Sequence, residues 1–285
     1  GGCIVKRGVV KIGIVKRGLL RLISADGLKL RRTWMWPLAV FGPAGVLGLT
    51  ALNYAFRYDY LVGLDADVWK TYYLQCVTLA VFVMQFGITL LASLLAGQEH
   101  QAGGWKLLLA LPVQRTCVYL SKFCWLWVQM ALAVFLLTAG FVALGVGLGL
   151  GNAGLESSSM ASPGLGNSVL GQAWEFLPWQ YVAGIGLFPF LASMPVMVFQ
   201  WWLSLRISHQ AVPAAVGIGL ASVAVFFAQS PVTSWLPWTY PLLVMPLPDD
   251  PMMAPEKWIP VGLLAGIVLL MAGCADLVRA GGERR

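Results

Sequence analysis

Charged residues are scarce in this sequence. Asp, Glu, Lys and Arg make up 11% of its 285 residues, where a water-soluble domain carries roughly 25%. Apolar types supply 59%. That ratio cannot clothe a surface facing water on every side, so a soluble globular protein is excluded. Histidine is almost absent, with only His100 and His209, and no partner residues complete a metal site around them. The five cysteines, Cys3, Cys76, Cys117, Cys124 and Cys274, form no Cys-x-x-Cys pair. Most lie in or beside apolar segments, where cysteine is a small hydrophobe. Neither a disulfide framework nor a zinc site is indicated. The chain also lacks G-x-x-x-x-G-K-[S/T], the loop that cradles nucleotide phosphates.

Carboxylates are missing from the depths of the apolar runs. The long polar residues there are Gln85, Gln129 and Gln200, and Asp276 falls near the end of the last run. Ion-coupled carriers rely on buried carboxylates, and intramembrane hydrolases on His/Glu ligands or a Ser-His pair. Neither set is visible. The glycine run Gly145-Val-Gly-Leu-Gly-Leu-Gly151 follows no strand and ends an apolar segment. It therefore reads as close helix packing or a flexible exit, not as a dinucleotide loop.

Long apolar runs are what the chain does have. Several reach the about 20 residues that a membrane helix needs. Six spans are expected, over 35–56, 71–97, 123–148, 178–204, 211–229 and 258–278. Trp34 and Trp36 suit an interfacial aromatic belt at the first span, and Tyr72 and Tyr73 suit one at the start of the second. Residues 230–257 carry Trp235, Pro237, Trp238, Pro241 and Pro246. That apolar piece is short and broken by proline, so it reads as re-entrant or interfacial rather than spanning.

The net charge of +7 would suit nucleic acid, but its distribution is topogenic. With the N-terminus inside, all of the 19 Lys and Arg except Arg57, Lys70 and Lys257 fall on the cytoplasmic side. The bias survives omission of residues 1–18. Both termini are thus expected in the cytoplasm, which an even number of spans satisfies. Residues 1–18 repeat Ile-Val-Lys-Arg-Gly at 4–8 and 14–18, and no methionine precedes Met35. They are expected to be disordered or to be a cloning artefact, with a native start nearer Leu19 or Leu20 at a non-AUG codon as the other reading. Residues 19–285 are expected to form one membrane domain. Within 19–33, Leu19, Leu22, Ile23 and Leu30 share a helical face while Arg21, Lys29 and Arg32 lie away from it. Basic amphipathic helices of this kind lie along membrane surfaces.

One polar island interrupts the spans: Glu99-His-Gln-Ala-Gly-Gly-Trp-Lys-Leu-Leu-Leu-Ala-Leu-Pro-Val-Gln-Arg115, running on to Ser121-Lys122. Gly103 and Gly104 fit a helix poorly, so a helix there would start at Trp105 and stop before Pro112. Taken alone, the segment is an inter-helix connector, with Arg115 and Lys122 as positive-inside anchors. Its pattern resembles the first cytoplasmic loop of ABC-2 type permeases, in particular the bacitracin and lantibiotic immunity permeases. There, a carboxylate ends the second span, a short amphipathic helix follows, then Pro-Val-x-Arg, then a lysine opening the third span. Glu99, the Trp105–Leu111 run, Pro112 to Arg115, and Lys122 stand at those positions.

The resemblance implies an all-α polytopic membrane protein of the ABC-2 exporter type. It would have six transmembrane helices, an N-terminal interfacial helix with basic residues Arg21, Lys29, Arg31 and Arg32, a cytoplasmic coupling helix, and a re-entrant extracellular segment before the last helix. It implies docking of a separate P-loop ATPase at Glu99, Trp105, Lys106, Pro112, Arg115 and Lys122. ATP and Mg would act through that partner, with no cofactor bound by this chain and no enzyme activity of its own. A second permease subunit, identical or related, and membrane lipid would complete the set of partners, without nucleic acid. The expected function is export of an amphipathic antimicrobial peptide from a prokaryotic plasma membrane. The alternatives are a permease for a lipid or hydrophobic drug, and a non-transporting scaffold or sensor.

Overall fold

The computed structural model describes residues 27, 35–62, 67–101, 115–148, 178–227, 235–246 and 253–282. The described residues are helical wherever they are regular. Residues 1–18, the interfacial segment with Arg21, Lys29, Arg31 and Arg32, and the Trp105-Lys106-Pro112 part of the polar island lie outside them.

Three long helices come first: α1 (Met35–Val62), α2 (Val68–Gln101) and α3 (Arg115–Gly147). Next come α4 (Trp179–Ile185), α5 (Leu187–Ala192), α6 (Met194–Arg206) and α7 (Ala211–Phe227). A 3-10 turn (Pro237–Thr239), α8 (Tyr240–Leu243) and α9 (Pro255–Gly282) complete the order. Four of these, α1, α2, α3 and α9, are each long and apolar enough to cross a membrane.

The expected fourth span is not one helix. It breaks at Gly186 (φ −130°, ψ −66°) and bends again at Ser193 (φ −79°, ψ −1°). Pro189 and Pro195 explain the two sites, because each removes an N–H and crowds the carbonyl four residues back. Ser193 repairs the second break. Its hydroxyl donates to Phe190 O at 2.7 Å and its N–H to Pro189 O at 2.9 Å. The expected fifth span is described as α7 over 17 residues, about 26 Å at the helical rise; its expected last residues, 228–229, lie outside the described residues.

Helix α2 is the axis of the bundle. Of its most apolar stretch, 61% is buried in protein, against 28% for α1 and α3 and 17% for α9. Apolar contact with neighbours gains little over contact with lipid, so such helices associate through close packing and hydrogen bonds. Both occur here. Gly262 and Gly266 of α9, spaced as Gly-x-x-x-Gly, sit against the α5–α6 bend. A Cβ at Gly262 would lie 2.8 Å from Ala192 O, and one at Gly266 2.8 Å from Met194 Cβ. The bend thus makes the notch into which α9 fits.

At the end where α1 and α3 finish, aromatic packing dominates. Tyr72 stacks on Phe141 (4.5 Å) and donates to Phe141 O at 3.0 Å. Tyr73 stacks on Tyr181 (5.1 Å), whose hydroxyl donates to Asp67 Oδ2 at 3.1 Å. Tyr72 and Tyr73 are fully buried, so they fasten α2 to α3 and α4.

Candidate functional site

The polar island leaves the bundle from α2 and returns through α3. Glu99 lies in the last turn of α2, and Arg115 is the first residue of α3; their side chains, with Trp105, Lys106 and Pro112, lie outside the described residues. Lys122 lies two turns into α3 with 4% of its surface exposed. It is enclosed by the chain's own helices, which a headgroup anchor would not be. The docking residues therefore do not form one described surface. What the structure describes is the frame that holds their two ends.

That frame carries a polar seam. On α2, Gln85, Thr89 and Ser93 recur every four residues and so share one face, and Gly97 continues it. All three polar residues are buried. Opposite them stand Gln200 and Ser204 of α6, also one turn apart and buried. Gly217 of α7 closes the seam, since a Cβ there would meet Thr89 Oγ1 at 2.5 Å and Gln200 Oε1 at 2.7 Å. At the lower end, Gly97 lies against the Gln210 side chain. Small and polar residues thus bring α2, α6 and α7 together directly above the polar island.

Two of the glutamines hold backbone. Gln200 Nε2 donates to Pro213 O at 2.7 Å, fixing the first turn of α7. Gln85 Nε2 donates to Trp238 O at 2.9 Å. Gln85 is halfway along α2, so Trp238 lies near mid-height of the bundle. Residues 238–245 are buried throughout. Protein thus encloses this irregular segment, and the Gln85 bond satisfies one of its carbonyls.

A third polar group ties α6 to α9. Arg206 pairs with Asp276 through Nη2 to Oδ1, and its Nε donates to Oδ2 at 3.2 Å. Trp202 Nε1 donates to the same Oδ2 at 3.1 Å. A carboxylate placed inside an apolar helix demands partners, and Asp276 finds them 70 and 74 residues away. Its position showed in the sequence; its partners did not. Nearby, a Cβ at Gly273 would meet Tyr119 Oη of α3 at 2.7 Å. The first turns of α3 therefore bear on α9 at the level of this clamp.

An apolar cavity of about 40 Å³ separates α1 from α2 and α3, bounded by Leu38, Gly42, Met84, Gly87, Met130 and Val134 among others. Among the described residues no three His, Cys, Asp or Glu gather as metal ligands. The arrangement joins a rigid axis, a polar seam and an inter-helix clamp at one end of a membrane bundle.

Residues 22–228 match the model of the family described as ABC-2 family transporter protein. No curated protein matches the chain significantly. The match takes in α1 to α7, the polar island and the seam, and runs over most of the sequence. The chain is therefore a multi-pass membrane permease of the ABC-2 transporter family.

Proposed function

We propose that this chain is the permease subunit of an ATP-driven exporter that expels an amphipathic antimicrobial peptide from a prokaryotic plasma membrane. A separate P-loop ATPase docks on the segment from Glu99 to Arg115, through Glu99, Trp105, Lys106, Pro112 and Arg115, while Lys122 steadies the base of α3. ATP and Mg belong to that partner. A second permease, identical or related, lies beside this one in the membrane.

The observation that carries this reading is the continuity of α2. The most enclosed helix of the bundle runs unbroken from the buried Tyr72 and Tyr73 to Gln101. A push on the segment joining α2 to α3 therefore reaches the opposite end of the molecule through one stiff rod. The cavity between α1, α2 and α3 supports an opening motion there. At about 40 Å³ it is far below the ~300–1,000 Å³ of ligand pockets, so a peptide passes only if these helices part. Its walls are apolar and include Gly42, Gly87, Ala80 and Ala133.

In this reading α4 to α6 together make one crossing and α7 another, giving six in all with both termini in the cytoplasm. Residues 235–246 dip in from outside and return, with Gln85 at their deepest point. Reversing both charges, Glu99→Lys with Arg115→Glu, is expected to abolish the peptide resistance conferred by the intact transporter. Undiminished resistance with normal membrane levels of the variant contradicts the docking role. Resistance to lipophilic drugs but not to peptides would favour the alternative cargo.

A further inference from the structure

We propose that the cleft between α6 and α9 is a binding site for one anionic phospholipid, its acyl chain in the cleft and its phosphate between Arg206 and Arg279. The cleft encloses about 300 Å³. Phe199, Leu269, Ala272 and Gly273 give it apolar walls, and Trp202 and Asp276 close one end. It opens toward lipid, because α9 is the least enclosed of the long helices and Ile267, Val268 and Met271 beside the cleft are at least half exposed.

Asp276 is the charged residue of the cleft wall, and the cations that would meet a phosphate stand at its rim. Asp276 is committed on both oxygens to Arg206 and Trp202. Arg279 is exposed and lies three residues beyond Asp276 on α9, one turn further and so on the same side of the helix. Two guanidinium groups against one carboxylate leave a net positive end. Arg206 is still half exposed after pairing, and it is held over the Trp202 ring at 5.7 Å. A guanidinium fixed in this way is suited to a phosphate oxygen pair. Basic pockets between membrane helices bind acidic headgroups by this chemistry. An apolar cleft that runs from such an end into the lipid-facing surface matches an acyl chain attached to that phosphate, which a soluble phosphate would leave empty.

The test is native mass spectrometry of the full chain released from detergent with added phosphatidylglycerol or phosphatidylcholine. The wild type is expected to retain phosphatidylglycerol about fivefold better, the factor one basic residue at a membrane surface contributes. Arg279→Gln leaves the Arg206–Asp276 pair intact and is expected to remove that preference. Ala272→Trp fills the cleft and is expected to reduce retention of both lipids. Equal retention of the two lipids by the wild type overturns the proposal, as does a preference unchanged in both variants. Loss of a two-chain species in Ala272→Trp, with lipid retention unaltered, assigns the cleft to a second copy and overturns it as well.

Discussion

Gln85 shows how one buried polar side chain organises this protein. Its amide N–H is the partner of Trp238 O deep in the bundle. Gln85→Leu would keep the volume and strand that carbonyl, at a cost of about 1–3 kcal/mol. Faster hydrogen exchange across residues 235–246, with α2 still protected, is the expected signature. Uniform exchange in variant and wild type would show that the bond holds nothing. The clamp at Asp276 is different, because Arg206 and Asp276 keep 50% and 33% of their side-chain surface exposed. Solvent screening limits such a pair, so a double-mutant cycle with Arg206→Gln and Asp276→Asn is expected to return a coupling of no more than about 1 kcal/mol. Neither partnership was legible in the sequence. Gln85 and Asp276 stand out by being polar in apolar runs, but their partners lie 153 and 70 residues away, beyond any local pattern.

Elements were legible where composition and continuity agree. Helices α1, α2, α3 and α9 follow the apolar runs that announced them. The fourth run misled because hydrophobicity does not change across Gly186 and Ser193, while backbone geometry does. Pro189 and Pro195 were the available signal, and a proline inside an apolar run ends or bends its helix. Tyr72 and Tyr73 open the second run as expected in position, but their stacking on Phe141 and Tyr181 joins residues 69 and 108 apart and left no local pattern. The α5–α6 bend has a consequence for α9. Gly262→Ala places a methyl 2.8 Å from the Ala192 carbonyl oxygen and 2.9 Å from its Cα, both backbone atoms that cannot swing aside. It is expected to destabilise the protein by about 1–3 kcal/mol. Gly48→Ala in α1 meets no atom within 4 Å, and is expected to stabilise by about 0.4–1 kcal/mol through lower chain entropy in the unfolded state. Melting temperatures in detergent that move in opposite directions would bear this out; a joint shift would not.

Across the whole molecule, the aromatic end and the polar end divide two tasks. Tyr54, Tyr72, Phe141, Tyr73 and Tyr181 knit α1 to α4 together at one end. The other end gathers Gln200, Ser204, Arg206, Asp276 and the two ends of the polar island. Helix α2 connects them, and the ABC-2 family match over residues 22–228 places that rod in a transport subunit. The central claim is that the segment from Glu99 to Arg115 receives an ATPase. It is tested most directly by co-purifying the chain with a P-loop ATPase from a neighbouring gene, wild type against Glu99→Lys, with melting temperatures matched. The account predicts a stable complex with the wild type that is lost in the variant. A complex that survives Glu99→Lys unchanged, or no complex with the wild type, would contradict it.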